Sequence, residues 1–414
     1  MHPLLRPPFL APLVALSLAT SVFAAPPPRP WPANPFTPLS AERIAALPEA
    51  QRPAWNTYWK NSQQLLQQLA VRPRADASNL KPMSTPPKGG IHSKGLRFDA
   101  PAEWYASDEA RALADHVAEA QMKIGAWKKG TDYTRPIDPA TRERDSPTFD
   151  NNATTSELRF LAFVISATGE SAHSTWRDAF ARGLRYVFAA QYPNGGFPQV
   201  YPLIGGYHDG VTYNDDAMAQ ILKVLRDVAY AKHPYAWVPP ALRDEASTRF
   251  ARSLDCVLAT QLRDPEGRLT AWAQQYDPLT LRPAAARNFE PIADAARESA
   301  AIAQLLMSVR HPSPALIAAV DGVIAWFRRT ALSDLKIARA PQDFRGQAVP
   351  SPGAPPLWAR FYEPGTATPI FGDRDRTIHY DLSEISSERI AGYAWYTLAP
   401  SDALARYERW KAAR

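Results

Sequence analysis

Acidic and amide side chains occur at the start of two successive predicted helices. Asp150 and Asn151 precede one apolar-periodic segment, and Asn214 and Asp215 precede the next. Asp and Asn are preferred helix N-caps, and carboxylates are stabilised near helix N-termini, so each residue alone fits capping as well as function. Their repetition favours a shared site. Carboxylate and amide oxygens are the hard ligands that Ca²⁺ uses, so this pattern is compatible with a calcium site.

Three arginines lie close to aromatic residues in polar segments. Arg287 is in Ala-Arg-Asn-Phe-Glu, Arg360 in Trp-Ala-Arg-Phe-Tyr, and Arg374 in Gly-Asp-Arg-Asp. A guanidinium binds a planar carboxylate through two hydrogen bonds, so these side chains suit an acidic substrate. Two alternatives remain at this level. Arg287 can be a solvated surface charge, and the other two can form ion pairs that hold the C-terminal segment in place.

A repeat of about 70 residues positions these groups. Three predicted helices end in glutamine, at Gln121, Gln191 and Gln261, and each is followed by a glycine turn, an aromatic residue, a polar loop and a second helix. The second helices are predicted over 152–167, 215–231 and 297–309, and a further helix over 314–329. Neighbouring hairpins must stack to bury two apolar faces. We therefore predict an all-α fold, an α/α toroid, with the glutamines bonding free backbone groups and the polar loops on one rim.

The N-terminal part of the chain differs from this repeat. Residues 1–24 fit a secretory signal peptide, with Arg6 before an apolar run and Val-Phe-Ala at its end. Residues 25–100 comprise a proline-rich tether, an accessory helical segment over 40–69 and an irregular stretch. Residues 101–414 are predicted to form the catalytic domain. Within it, the alternation over 368–382 is the best candidate for a β-hairpin.

Composition excludes several functional classes. The net charge of +6 is mild, and no basic run indicates nucleic-acid binding. No apolar run after the signal is long enough to span a membrane, so we expect a secreted or periplasmic protein. The single cysteine, Cys256, lies in an apolar segment and cannot form an internal disulfide. Nucleotide-binding and Gly-x-Ser-x-Gly fingerprints are absent from the sequence.

Several ordered motifs resemble the polysaccharide lyase family 10 pectate lyases. They are DNNATTSELRFLA from Asp150, QYPNGGFPQVYPL from Gln191, GYHDGVTYNDDAM from Gly206, WAQQYDPLTLRPAAARNFE from Trp272, WARFYEPGTATPIFGDRD from Trp358 and ERIAGYAW from Glu388. The resemblance covers most of residues 104–400. It implies an (α/α)3 toroid that cleaves polygalacturonate by calcium-assisted β-elimination, giving 4,5-unsaturated products.

The resemblance also implies roles for individual residues. Asp150 and Asp215 match the acidic positions at calcium and substrate, and Arg287 matches the catalytic base. Asn151, Asn214, Arg360 and Arg374 are the expected substrate contacts. An arginine base is unusual because a guanidinium is normally always protonated, so a lowered pKa or transient deprotonation of Arg287 is expected. Asp216 can be a helix cap only. A monomer with no nucleic-acid or membrane partner is expected.

Other classes remain alternatives at this stage. A glycoside hydrolase on the same toroid would use Asp150 and Asp215 as an acid and base pair on a uronic-acid-containing polysaccharide. The glutamine-glycine-aromatic turns also resemble those of triterpene cyclases, but the Asp-x-Asp-Asp acid of those enzymes is not evident. A non-catalytic sugar-binding protein would use the aromatic residues of the rim and would leave the Arg287 loop without a purpose.

Overall fold

A computed structural model describes residues 26–31, 36–69, 93–138, 146–338 and 346–414. The predicted signal peptide, residues 1–24, lies outside the described residues. The α-helices are α1 (Ala41–Ala45), α2 (Arg52–Gln68), α3 (Asp108–Ala120), α4 (Thr155–Thr168), α5 (Ser174–Ala190), α6 (Ala217–Ala229), α7 (Pro240–Thr260), α8 (Ala296–Leu306), α9 (Pro314–Thr330), α10 (Ser387–Gly392) and α11 (Ala399–Ala412).

The strands are short and lie in the loops between helices. They are β1 (Arg29–Pro30), β2 (Val211–Thr212), β3 (Gln275–Tyr276), β4 (Pro283–Ala284), β5 (Asp294–Ala295), β6 (Leu335–Ala338), β7 (Gln347–Pro350), β8 (Trp358–Ala359), β9 (Phe361–Tyr362), β10 (Phe371–Gly372), β11 (Thr377–His379) and β12 (Tyr396–Thr397). These strands pair in antiparallel fashion, and the sheets have the orders β1-β11-β10, β2-β3-β4, β12-β8, β5-β9 and β6-β7. The expected hairpin within 368–382 is confirmed as β10–β11.

The helices form the predicted (α/α)3 toroid. Helices α3, α5 and α7 each lead through a polar loop into α4, α6 and α8, and these second helices pack against one another in chain order. Helix α9 packs on α8, and α11 packs on both. The apolar faces of the hairpins meet in one large core that includes the fully buried Trp127, Trp176, Trp272, Trp326 and Trp358.

The three repeated glutamines bond to backbone carbonyls at the ends of α3, α5 and α7. In each case the side-chain amide reaches both its own turn and a carbonyl 58 residues downstream: Gln121 to Gly125 and Ala179, Gln191 to Gly195 and Arg249, and Gln261 to Thr270 and Ala319, at 2.7–3.2 Å. Each glutamine therefore joins one hairpin to the next outer helix. This confirms the structural role predicted from the repeat.

Glycine is required in the first two of these turns. Gly125 and Gly195 have φ values of 100° and 91°, which L side chains rarely adopt. A Cβ atom on Gly125 would lie 2.6 Å from the carbonyl oxygen of Arg182, and one on Gly195 would meet the carbonyl oxygen of Arg252. The close approach of turn and neighbouring helix thus explains the glycines.

Cys256 lies in the core on α7 and is 1 % exposed. Burial raises the pKa of its thiol to about 12, so the side chain stays protonated and acts as a small apolar group. Within the described ranges, no helix is both long and apolar enough to cross a membrane.

The N-terminal segment packs on the toroid at several points. Residues 26–30 are exposed, as expected of a tether, but Arg29–Pro30 pairs with β11 and Trp31 is buried. In α2, the Tyr58 ring lies 4.9 Å from that of Tyr192, and its hydroxyl donates to the Ala190 carbonyl at 3.1 Å. These described parts are therefore held by the domain that follows them.

Candidate active site

Two short 3₁₀ turns, Asp150–Asn152 and Asn214–Asp216, lie against each other at the starts of α4 and α6. Their backbones match residue by residue. Asn151 and Asp215 have φ values of 51° and 50°, and Asn152 and Asp216 have 64° and 65°. Asn and Asp tolerate this left-handed conformation better than most residues, which explains their presence here.

Helix capping does not explain these side chains. The N-cap of α4 is Thr154 and that of α6 is Asp216, and neither side chain caps its helix. The capping alternative, including the expectation for Asp216, is therefore wrong. Asn152 Oδ1 and Asp216 Oδ1 are buried and have no hydrogen-bond partner within the described part of the chain. The positive φ values show that the backbone of both turns is strained, and the unpartnered oxygens show that each turn holds an unsatisfied acceptor.

Asp215 lies at the junction of three arginines. Arg360 Nη2 is 3.2 Å from Asp215 Oδ1, and Arg297 Nη1 is 3.8 Å from the same oxygen. Burial raises the pKa of Asp215, but Arg360, Arg287 and Arg297 outweigh this effect and lower it to about 2. The Asp215 side chain remains 24 % exposed, so this carboxylate is ionised and accessible at neutral pH.

Asp150 has a different set of partners. Its Oδ2 pairs with the ammonium of Lys129, and its Oδ1 accepts a 3.1 Å hydrogen bond from Gln199 Nε2. Gln199 Oε1 is in turn 2.8 Å from His208 Nδ1. Lys129 and Gln199 therefore orient the Asp150 carboxylate directly, and His208 holds the Gln199 amide.

Arg360 occupies an interior position that differs from the expected substrate contact. Its side chain is 3 % exposed, and Nη2 donates to Glu298 Oε1 at 2.5 Å and to Asn214 Oδ1 at 3.3 Å as well as to Asp215. Two carboxylates balance the buried charge. Arg360 thus contacts the Asn214–Asp216 turn from the protein interior. The ion-pair alternative describes this residue better than direct substrate binding.

Arg287 forms a two-bond ion pair with Glu290. Nε donates to Glu290 Oε2 at 2.7 Å and Nη2 donates to Oε1 at 2.5 Å. Burial lowers the pKa of Arg287, but the adjacent carboxylate outweighs burial and raises it. The expectation of a lowered pKa is therefore wrong for this state of the protein. The Arg287 side chain is 36 % exposed and lies over the ring of Phe289 at 4.9 Å.

Arg374 follows β10 and is the most exposed of the three sequence-predicted arginines. Its Nε and Nη2 bond to Glu388 at 2.8 and 3.0 Å, and 40 % of its side chain is exposed. The neighbouring Asn288 donates from Nδ2 to the Arg374 carbonyl at 3.1 Å, which fixes the hairpin beside the Arg287 loop. The Arg374 side chain is therefore partly exposed beside the Arg287 loop.

Sequence reasoning missed a buried polar network that joins these groups. Gln274 Nε2 contacts Asn214 Oδ1 and Glu298 Oε1 at 2.9 Å each, and Tyr393 Oη at 3.4 Å. Tyr393 donates to Glu290 Oε1 at 2.7 Å. The i, i+3 spacing of Arg287 and Glu290 was a usable signal. Lys129, Glu298 and Tyr393 gave none, because their partners lie far away in sequence.

The oxygen atoms of the two turns fit a hard cation whose remaining ligands come from a bound substrate. In the described ranges, no three His, Cys, Asp or Glu side chains come together as a metal cluster. The turns nevertheless present three carboxylates, those of Asp150, Asp215 and Asp216, and Asn152 Oδ1 and Asp216 Oδ1 are without a hydrogen-bond partner in the described part of the chain. Ca²⁺ takes six to eight oxygens, so a uronate carboxylate would have to complete such a site.

The comparisons with known proteins agree with this geometry. A family model described as pectic acid lyase matches residues 121–404. Two solved structures of a family 10 polysaccharide lyase from Cellvibrio cellulosa are similar. One is 30 % identical with a TM-score of 0.67, covering 75 % of this chain and 96 % of that one. The other, an aspartate-to-alanine mutant in complex with trigalacturonic acid, is 29 % identical with a TM-score of 0.67, covering 74 % and 95 %.

A comparison with curated protein sequences gives no significant match. The family match spans both polar turns, the Arg287 loop and the β10–β11 hairpin, and so includes the whole candidate site. The chain therefore belongs to the pectic acid lyase family and is an enzyme of the pectate lyase class.

Proposed function

We propose that this enzyme cleaves polygalacturonate by calcium-assisted β-elimination and releases 4,5-unsaturated oligogalacturonides. The observation that carries the proposal is the contact between the Asp150–Asn152 and Asn214–Asp216 turns, with the guanidinium of Arg287 close enough to lower the pKa of Asp215. Carboxylates from both turns and the guanidinium of Arg287 are thus brought near one another. The relative in complex with trigalacturonic acid supports an acidic galacturonide as the substrate.

Asp150 and Asp215 would hold the calcium ion, and the amides of Asn151 and Asn214 would contact the substrate or complete its orientation. Bound there, the ion would supply positive charge to the uronate carboxylate and stabilise the enolate-like charge that develops next to C5. Arg374 would bind a further carboxylate along the polymer. Arg360 positions Asp215 and Asn214 from the interior.

Arg287 would remove the C5 proton, which is acidified by the adjacent carboxylate. The electron pair of the C5–H bond then forms the C4–C5 double bond while the C4–O4 bond breaks. The leaving oxygen takes a proton from solvent, and Arg287 returns its proton to solvent. Arg287 must be neutral in the instant before transfer, so binding has to change its ionic environment.

Electrostatics disfavours Asp215 as the general acid of a hydrolase on the same residues. A general acid needs a raised pKa so that it stays protonated at the working pH. The pKa of Asp215 is lowered to about 2, because the arginines stabilise its charged form. Asp215 would therefore be a poor proton donor, and it suits the role of a cation ligand instead.

The decisive assay follows polygalacturonate at the ultraviolet band of the unsaturated product, with Ca²⁺ and with EDTA. We expect absorbance to grow with Ca²⁺, to stop on chelation and to return on adding excess Ca²⁺. Release of reducing ends without absorbance would contradict β-elimination. Activity that persists after exhaustive chelation would contradict the role of calcium only.

We also propose a secreted or periplasmic location for the enzyme. A polymeric pectic substrate cannot enter a cell intact, and the N-terminal sequence fits a secretory signal. Cell fractionation would test this location. We propose a monomer, which light scattering of the purified protein would check.

A further inference from the structure

Glu290 and Tyr393 form a second layer behind Arg287. Glu290 is 1 % exposed and accepts four hydrogen bonds. Two come from the Arg287 guanidinium, a third from the Arg287 backbone amide at 3.2 Å and a fourth from the Tyr393 hydroxyl at 2.7 Å. Arg287 lowers the pKa of Glu290 despite its burial, so this carboxylate stays ionised. Burial raises the pKa of Tyr393, so its hydroxyl keeps the proton that it donates.

These bonds distinguish the three guanidinium nitrogens. Nε and Nη2 both point their hydrogens at Glu290, whereas Nη1 donates to no residue in the described part of the chain. A neutral guanidine has one nitrogen with a free lone pair, and only that nitrogen can accept a proton. A carboxylate that requires hydrogens on Nε and Nη2 leaves Nη1 as the accepting nitrogen.

We propose that Glu290, held by Tyr393, is the positioning residue that orients Arg287 for its role as the base. It selects the tautomer with the lone pair on Nη1 and stabilises the guanidinium that forms when the C5 proton arrives. The logic is that of the carboxylate in a serine protease triad, which orients the imidazole and stabilises its cation without taking the proton. This inference rests on the proposed function of Arg287.

The same layer connects the base to the calcium-binding turn. Tyr393 Oη lies 3.4 Å from Gln274 Nε2, which donates to Asn214 Oδ1 at 2.9 Å. The Tyr393 ring also lies under both guanidinium groups, at 5.8 Å from Arg287 and 4.6 Å from Arg360. One aromatic residue therefore sets the distance between the base and the turn that carries Asp215.

Glu290→Gln keeps the size of the side chain and removes its charge. We expect kcat on polygalacturonate to fall about 100-fold or more while KM changes little, because the loss affects proton transfer. The pH at which kcat rises should shift down by about one unit or more, since the neighbouring carboxylate no longer favours the guanidinium. The other groups that interact electrostatically with Arg287 are Tyr207, Tyr393 and Asp215, and all three are retained in this variant. A purely structural role would reduce kcat without this shift.

Glu245→Gln is the matched control. Glu245 pairs with Arg249 at 2.7 Å on the outer helix α7, so the variant neutralises an arginine-bound glutamate far from the cleft. Its kcat and pH profile should equal those of the wild type. Tyr393→Phe removes one hydroxyl and keeps the ring, so it tests the same layer without removing a charge. We expect about a tenfold fall in kcat, in line with the loss of one hydrogen bond to a charged group.

Chemical rescue provides an independent test. In Arg287→Ala, millimolar guanidinium should bind Glu290 and restore part of the activity. In Arg287→Ala with Glu290→Gln, the same addition should restore none. Rescue that is equal in the two proteins would overturn the role of Glu290, as would wild-type kcat and pH profile in both Glu290→Gln and Tyr393→Phe. Full activity of Arg287→Ala would instead remove the base assignment on which this inference depends.

Discussion

Asn151 and Asp215 occupy the same place in two successive hairpins, with φ/ψ values of 51°/41° and 50°/35°. The repeat therefore aligns Asp150 with Asn214 and Asn151 with Asp215. At these two positions, each turn contributes one carboxylate and one amide, in opposite order. The two turns are in contact, so the carboxylates of Asp150 and Asp215 lie on adjoining turns although they hold different positions of the repeat.

Asp215→Asn should abolish most of the lyase activity. The change removes one proposed calcium ligand and leaves the surrounding arginines uncompensated, so we expect kcat/KM to fall about 100-fold or more. The calcium concentration for half-maximal rate should rise. Asp255→Asn, on an exposed position of α7, is the control and should retain wild-type activity. A wild-type calcium response in Asp215→Asn would remove this residue from the metal site.

The raised pKa of the buried Glu157 predicts that the protein loses stability as the pH rises. It is fully buried, accepts hydrogen bonds from Tyr133 at 3.0 Å and Ser93 at 2.9 Å, and has its pKa raised by burial to about 7. The folded pKa exceeds the unfolded one. The contribution of Glu157 to the free energy of unfolding is therefore fully present below about pH 4.5 and is lost as the pH rises through about 7.

Urea unfolding at pH 5 and pH 8 measures this effect. We expect the wild type to lose free energy of unfolding, on the order of 3 kcal/mol from Glu157 alone. Glu157→Gln should lose less, and the remainder reflects Asp209 and Asp294, whose pKa values burial also raises, to about 7 and about 6. The exposed Glu103→Gln should behave like the wild type. Equal pH dependence in Glu157→Gln and wild type would contradict the assignment.

Gln261→Met should destabilise the fold without changing the chemistry. The Gln261 amide bonds the carbonyls of Thr270 and Ala319 at 2.9 Å, and methionine has the same length but no donor. Leaving buried carbonyls unpaired costs about 1–3 kcal/mol in the free energy of unfolding. The exposed Gln67→Met, in α2, should cost much less. A similar loss in both variants would mean that the repeated glutamines have no special role.

Two tryptophans of α2 test whether the N-terminal helix is part of the folded unit. Trp55 is buried, with its ring 5.4 Å from that of Tyr192, whereas Trp59 is only partly buried. Trp55→Ala should cost about 3–5 kcal/mol in a single unfolding transition, and Trp59→Ala clearly less. If α2 were a separate accessory segment, the transition of the toroid would not move in either variant.

Much of the scaffold was predictable from local patterns. The 70-residue spacing of Gln121, Gln191 and Gln261, with glycine and an aromatic residue after each, is a property of the chain itself. Helical periodicity then located the second helices to within a few residues, although 3₁₀ turns with positive φ precede the first two of them. That detail escaped prediction, because Asp and Asn favour both capping and left-handed conformations.

The sequence by itself determined the toroid, the family resemblance and the place of the polar turns within the repeat, because periodicity and turn chemistry are local. Only the tertiary structure decided which charged side chains form ion pairs with each other. Arg360 pairs with Asp215 across 145 residues, and Glu290 rather than a lowered pKa defines the state of Arg287. Electrostatic interaction depends on distance and burial, and both are set when the hairpins stack, so spacing along the chain cannot reveal them.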